Sequence, residues 1–261
     1  MKAKVYNKEA FIALQSILIK EITRYFRIWI QTLLPPAITM TLYFVIFGEL
    51  IGSRVGLMEG VSYMEYIAPG IIMMSVITNS YSNVASSFFS AKFQRNVEEL
   101  LVAPVPILFI LLGYVFGGVT RGLMTGVIVT IVASQFVELN INHWGVVLFV
   151  VILTSMMFAT AGLVNAIFAK SFDDISIVPT FILTPLTYLG GVFYSIKMLP
   201  DFWQQVSQAN PILYMVNAFR YGFLGFSDIP IETAIILIIV FILGLFSLAY
   251  YLLSKGIGIR S

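Results

Sequence analysis

The sequence predicts an all-α protein that crosses a membrane several times. Of its 261 residues, 59% are hydrophobic and 11% are charged, whereas a soluble domain carries about a quarter charged residues. Long stretches without any Asp, Glu, Lys or Arg recur along the chain. In hydrocarbon such a stretch satisfies its backbone hydrogen bonds by forming a helix. The predicted fold is therefore a polytopic helical membrane protein.

Six membrane spans are predicted from these stretches, since one crossing needs roughly 20 mainly apolar residues. They are placed at 29–51, 65–87, 107–135, 145–168, 176–196 and 232–253. The third span continues past a single arginine, Arg121. Residues 29–261 therefore form one membrane domain, preceded by a cytoplasmic segment at 1–28.

The basic residues predict that both termini are cytoplasmic, because cytoplasmic flanks carry the excess of Lys and Arg. With the N-terminus inside, eleven basic residues lie on inner segments and three on outer ones. The inner set is Lys2, Lys4, Lys8, Lys20, Arg24, Arg27, Lys92, Arg95, Lys170, Lys255 and Arg260, and the outer set is Arg54, Lys197 and Arg220. The net charge of +2 gives no support for a nucleic-acid partner.

The segment before the first span predicts an amphipathic helix lying at the cytoplasmic interface. Its apolar residues recur at helical spacing and its polar residues fall elsewhere on the wheel. The apolar set is Phe11, Leu14, Leu18, Ile22, Tyr25 and Phe26, and the polar set is Gln15, Lys20, Glu21, Arg24 and Arg27. The pattern leaves two interpretations open, a membrane-surface anchor and a helix that docks a partner.

The third span carries two signals. Gly118, Gly122 and Gly126 recur every four residues, which favours close packing of another helix against one face. A central arginine costs about 2.5–3.5 kcal/mol on insertion scales, so Arg121 is expected to face protein, water or a ligand. Its partner is either structural, such as Asn165 or helix-end carbonyls, or an anionic substrate group.

The fifth span and the segment after it predict irregular helices. Pro179, Pro185 and a Gly190-Gly191 pair break the hydrogen-bond ladder of the span. Broken helices often mark transport pathways, although proline is also common in membrane helices generally. Residues 199–228 are too polar to span and predict an outer re-entrant or interfacial helical pair that turns at Asn210-Pro211.

The sequence does not predict a catalytic activity of this chain itself. The sequence has no cysteine, a single histidine and no Walker A lysine motif. No nucleophile, base or metal-ligand set recurs at catalytic spacing. An ion-coupled secondary transporter is a second hypothesis, but it would need carboxylates near the membrane midplane. The carboxylates of Glu49, Glu65, Glu138 and Glu232 map to span ends.

Two motifs resemble the ABC-2 type permease family. The first is Glu98-Glu99-Leu100-Leu101 followed by Pro104, which is similar to the segment through which these permeases couple to an ATPase. The second is a C-terminal pattern that runs over 185–194, 199–200, 210–211 and 219–222, reading PLTYLGGVFY, LP, NP and FRYG. The likeness covers essentially the whole chain.

The resemblance implies a homodimer of six-span subunits joined to two ATP-binding subunits in a bacterial cytoplasmic membrane. ATP and Mg²⁺ would bind the ATPase subunits, and this chain would bind no cofactor. An amphiphilic or lipid-linked substrate, of the drug or polysaccharide class, would move outward between the protomers. The N-terminal amphipathic helix and segment 92–101 would dock onto the ATPase. Segment 92–101 would couple to it through Arg95, Glu98, Glu99, Leu100 and Leu101. Spans one, two and five would line the path, with Tyr43, Phe47, Arg121, Pro185 and Tyr188 as candidate path residues.

Overall fold

A computed structural model describes residues 2–259, and the described chain is mostly helical. The side chains of residues 2–8 and of Glu49 lie outside this description, as does residue 260. The predicted inner basic residues Lys2, Lys4, Lys8 and Arg260 are therefore among those that the structure does not describe. The helices are α1 (Lys2–Arg27), α2 (Trp29–Thr32), α3 (Leu34–Tyr43), a π-helix (Phe44–Ile51), α4 (Gly52–Val55), α5 (Tyr63–Phe93), α6 (Asn96–Val102), α7 (Ile107–Ala133), α8 (Trp144–Phe168), α9 (Phe172–Val178), a π-helix (Pro179–Leu183), α10 (Thr184–Tyr188), a 3₁₀ turn (Ile196–Met198), α11 (Asp201–Gln208), α12 (Pro211–Leu224) and α13 (Ile231–Lys255). A short antiparallel pair, β1 (Leu57–Met58) and β2 (Val61–Ser62), precedes α5.

Four helices of the described chain are long and apolar enough to cross a membrane. They are Trp29–Val55, which comprises α2 to α4, and then α7, α8 and α13. These four lie where the sequence predicts the first, third, fourth and sixth spans. The region predicted as the second span lies within α5, a single helix of 31 residues that carries several buried polar side chains.

The fifth predicted span, 176–196, ends earlier than expected. Helical structure stops at Tyr188, and the next six residues form turns and bends. Gly191 adopts a positive φ of 70°, which a helix cannot accommodate and which glycine adopts at little cost. The prediction ran through the Gly190-Gly191 pair because residues on both sides of it are apolar.

The two helices predicted within 199–228 are present as α11 and α12. Asn210 caps α12, its side chain accepting a hydrogen bond from the backbone N–H of Ile212 at 3.0 Å. Pro211 occupies the first helical turn, where its missing N–H has no cost. Helix α12 packs against α5, α8 and α13, and most of its side chains are buried.

The predicted glycine face of α7 lies against α5 and α8. A Cβ on Gly118 would lie 2.7 Å from the Cβ of Ala159, and one on Gly122 would meet the hydroxyl of Ser80. A Cβ on Gly126 would lie 3.0 Å from Val76. Glycine at these positions therefore permits the helices to approach closely.

Helix α1 buries only part of the face that the sequence predicts. Its buried stripe contains Ile17, Glu21 and Tyr25, of which Tyr25 alone belongs to the predicted apolar set. Phe11 and Phe26 of that set are exposed, and its other members are half-buried. Glu21, which was assigned to the polar face, is fully buried against α7, next to Gly117. The prediction was wrong in this respect because the partners of Glu21 lie far away in the sequence.

Candidate functional site

A polar stripe runs along α5 through the interior of the bundle. Ser75, Asn79, Asn83 and Ser87 follow one another at four-residue intervals, and all four are buried. Residues four apart share one helix face, so these side chains form a line toward the C-terminal end of α5. Buried polar groups of this kind require hydrogen-bond partners, and two neighbouring helices provide most of them.

The carboxylate of Glu21 is held at the end of this stripe. Ser87 donates its hydroxyl to Oε1 at 2.5 Å, and Asn83 donates its amide to Oε2 at 3.5 Å. The guanidinium of Arg24 lies 3.4 Å from Oε2, and the ammonium of Lys20 lies 3.8 Å from Oε1. The charge of Glu21 is thus neutralised inside the protein.

Arg24 extends this network. Its Nη2 donates to the backbone carbonyl of Asn83 at 2.9 Å and to the side-chain oxygen of Asn83 at 2.8 Å. A buried ion pair is tolerated only when hydrogen bonds satisfy its remaining polar atoms. Helix α1, which packs against α7, is therefore also joined to α5 by the hydrogen bonds of this ion pair.

Arg121 lies deeper along the same stripe and is only 8% exposed. Its Nη2 donates to the side-chain oxygen of Asn79 at 3.0 Å and to the carbonyl of Thr32 at 3.3 Å. Thr32 ends α2, so this contact is with a helix-end carbonyl. Asn165, the other named partner, instead donates to the carbonyl of Ile175 at 3.2 Å. These contacts favour the structural interpretation of Arg121.

Three of the five candidate path residues meet in one aromatic cluster. The hydroxyls of Tyr43 and Tyr188, 145 residues apart in sequence, are 3.1 Å from each other. The Phe193 ring contacts all three, with centroid distances of 4.5 Å to Phe47, 5.7 Å to Tyr43 and 6.0 Å to Tyr188. Pro185 lies one turn before Tyr188 and is exposed. Arg121 belongs to the polar stripe and not to this cluster.

A second charged group, Arg220 of α12, is fully buried beside the aromatic cluster. Its Nη2 donates to the carbonyl of Gly191 at 2.6 Å, and its Nε donates to the carbonyl of Tyr66 at 3.3 Å. The guanidinium also stacks 4.0 Å from the ring centroid of Tyr66. Arg220 therefore holds the turn that follows Tyr188 against the start of α5.

Asp228 secures the same turn from its other end. It accepts hydrogen bonds from the hydroxyl of Ser195 at 2.8 Å and from the backbone N–H of Ile196 at 3.2 Å. Lys197 lies 3.5 Å from Asp228 and 3.4 Å from Glu59. Attraction by Asp228, and secondarily by Glu59, raises the pKa of Lys197 above its ordinary value.

The segment resembling a coupling element is a short exposed helix, α6, joined to α5 by a sharp turn. Arg95 adopts left-handed backbone angles, with a φ of 62°, and Glu98 and Glu99 lie in the first turn of α6. All three side chains are exposed, whereas Leu100 and Leu101 pack partly against the interior.

Lys92 anchors the beginning of this segment. Its ammonium donates to the carbonyls of Ile167 and Ala169, at 2.5 and 2.9 Å. These carbonyls end α8, where a cation also interacts favourably with the helix dipole. The base of the exposed acidic helix is thereby joined to two long helices, α5 and α8.

Sequence reasoning missed the most buried charged groups. Glu21 follows a helical pattern that equally suits a surface helix, and Arg220 was counted among outer basic residues. The repeat Ser75, Asn79, Asn83 and Ser87 was available in the sequence as a polar stripe at helical spacing. It would have indicated that α5 has internal polar partners.

The sequence was compared with protein-family profiles and with known proteins. The profile of the ABC-2 type transporter family matches residues 12–224. The chain is 59% identical over 251 residues to the inner membrane transport permease YadH of Escherichia coli strain K12, covering 96% of this chain and 98% of that protein. It is 28% identical over 188 residues to nodulation protein J of Rhizobium leguminosarum bv. viciae, covering 70% of this chain and 71% of that protein.

Proposed function

Because the chain belongs to the ABC-2 type transporter family, we propose that it is the membrane subunit of an ATP-driven exporter whose ATPase is a separate polypeptide. The anchored acidic helix α6 is the observation that carries this proposal. Its exposed Glu98 and Glu99 form a polar contact surface, and Lys92 connects its base to α8. A soluble motor that displaces α6 would thereby move α5 and α8.

We propose a homodimer with two ATPase subunits, each protomer crossing the bacterial inner membrane six times with both termini in the cytoplasm. In addition to the four long apolar helices, α5 and the α9–α10 region would provide the second and fifth spans. Helices α11 and α12 would form the outer re-entrant pair. ATP and Mg²⁺ would bind only the partner ATPase.

The proposed cargo is an amphiphilic or lipid-linked molecule of the drug or polysaccharide class, moved outward. The aromatic cluster of Tyr43, Phe47, Tyr188 and Phe193 supports this proposal, because aromatic rings bind apolar and sugar-like surfaces through their faces. The cluster joins the first span to the broken fifth region. We assign it the role of a gate that separates when the motor moves these helices.

An ion-coupled carrier would use a buried carboxylate that releases its proton or ion during transport. Glu21 is a buried carboxylate, but Arg24 and Lys20 neutralise it and Ser87 binds it. The charges around Glu21 therefore favour a fixed structural pair. The motor-driven function remains the proposal that the contacts support best.

Charge reversal on α6 tests the coupling. Glu98→Lys with Glu99→Lys is expected to abolish most of the stimulation of ATP hydrolysis that the membrane subunit gives its ATPase, because like charges would oppose docking. The measurement is ATPase activity of the co-expressed complex in nanodiscs. Folded yield is expected to stay unchanged, since both side chains are exposed.

The matched control is Glu232→Lys, which reverses a carboxylate in the first turn of α13, away from α6. This control should retain wild-type stimulation. If the double variant on α6 also retained it, α6 would not be the coupling element.

A further inference from the structure

We propose that the elbow between α1 and α2 binds the headgroup of an anionic phospholipid from the cytoplasmic leaflet. The cavity at this elbow has a volume of about 650 Å³, within the range of roughly 300–1,000 Å³ that is usual for small-ligand pockets. Its polar lining consists of Ser16, Lys20, Thr23, Arg24 and Arg27. This inference goes beyond the proposed export function and concerns the isolated membrane subunit.

The charge of the elbow is strongly positive. Lys20, Arg24 and Arg27 line the cavity, and no carboxylate is among its lining residues in the described chain. Glu21, the nearest acid, points toward Ser87 in the interior. The three cations of the elbow and the one carboxylate of Glu21 together have a net charge of about +2.

Donors for a phosphate are available on these cations. The side chain of Lys20 is 54% exposed, and Arg27 is exposed and forms no salt bridge within the described part of the chain. Arg24 is held by Asn83 and Glu21 and contributes its positive charge to the lining of the cavity. Guanidinium groups suit the oxygens of a phosphate, and the hydroxyl of Thr23 adds a neutral donor.

An apolar stripe begins directly after the elbow. Ile30, Leu34, Ile38 and Leu42 recur every four residues along α2 and α3, and all four are exposed. A phospholipid has the matching order of groups, a charged phosphate followed by long acyl chains. Because this stripe belongs to the proposed first span, acyl chains lie against it in the membrane, and the cations of the elbow lie at the headgroup end of those chains. The combination of basic elbow and apolar stripe therefore selects a lipid as the occupant.

Native mass spectrometry of the purified full-length chain tests the proposal, with phosphatidylglycerol and phosphatidylcholine as the lipid probes. Wild type is expected to bind phosphatidylglycerol about tenfold more tightly than phosphatidylcholine. Lys20→Gln with Arg27→Gln should remove this preference, and Lys20→Arg with Arg27→Lys should restore most of it. The control Lys170→Gln with Lys255→Gln removes two exposed cations outside the elbow and should retain it.

Four results would overturn the proposal. The first is a wild-type preference for phosphatidylglycerol in the glutamine variant of the elbow, and the second is a loss in the control as large as the loss in that variant. The third is displacement of phosphatidylglycerol by inorganic phosphate at equal concentration, which would identify a soluble anion site. The fourth is a glutamine variant that keeps its lipid but no longer co-purifies with the ATPase, which would make the elbow a docking site for the motor. The lipid measurements need no ATPase, so they succeed or fail independently of the export function.

Discussion

Glu21→Gln is expected to destabilise the folded chain by on the order of 3 kcal/mol, because it removes one partner of a buried ion pair and leaves Arg24 without a counter-charge. Glutamine has nearly the same shape and can still accept a hydrogen bond from Ser87. The loss would therefore report charge rather than packing. We expect a lower midpoint temperature of thermal unfolding, measured in mild detergent by the loss of the folded peak in size-exclusion chromatography.

A double-mutant cycle measures the interaction energy of the Glu21–Arg24 pair separately from the contacts of each residue with its surroundings. Glu21→Gln combined with Arg24→Gln should cost less than the sum of the two single changes, since the double variant leaves no unpaired charge. Glu9→Gln is the matched control, because Glu9 lies on the exposed side of the same helix. If Glu21→Gln melted at the same temperature as Glu9→Gln, the carboxylate would not be holding α1 to α5.

Arg220→Gln is the second variant with a large expected effect. The change removes a fully buried guanidinium, its hydrogen bond to Gly191 and its stacking on Tyr66. Truncating a buried charged donor costs about 3–5 kcal/mol, partly because its acceptors are left unsatisfied. We expect a sharply reduced folded yield, with the remaining protein showing faster amide hydrogen exchange across residues 189–195.

Two further variants make this result specific. Arg220→Lys keeps the charge but loses the planar fork and is expected to recover part of the stability. Arg54→Gln removes an exposed arginine and should behave as wild type. Unchanged exchange at the Gly191 turn in Arg220→Gln would mean that Arg220 does not hold this turn in place.

The long helices could be predicted because their determinants are local. Helices α7, α8 and α13 begin and end within two residues of the predicted spans, since continuous apolar sequence ends there at charged or turn residues. Helix α5 was also predicted, because its interior lacks charge even though Asn79, Asn83 and their neighbours reduce its hydropathy. Local composition was sufficient for these elements.

The remaining features depend on contacts between distant residues. The buried face of α1 is determined by Ser87 and Asn83, which lie 66 and 62 residues from Glu21 in the sequence. The early end of the fifth region depends on a backbone angle at Gly191 that hydropathy does not encode. Arg121 was recognised because a lone charge in an apolar span is conspicuous, whereas Arg220 lies in a shorter segment that was assigned to the outer side of the membrane.

The association of this chain with a separate ATPase is tested most directly by its purification from native membranes. The tagged chain would be extracted in mild detergent and its co-purifying proteins identified by mass spectrometry. We expect to recover a soluble P-loop ATPase in stoichiometric amount with the wild-type chain, and to lose it when Glu98 and Glu99 are both changed to Lys. Repeated recovery of the wild-type chain alone would contradict the proposed association with an ATPase and indicate a carrier that works without a motor.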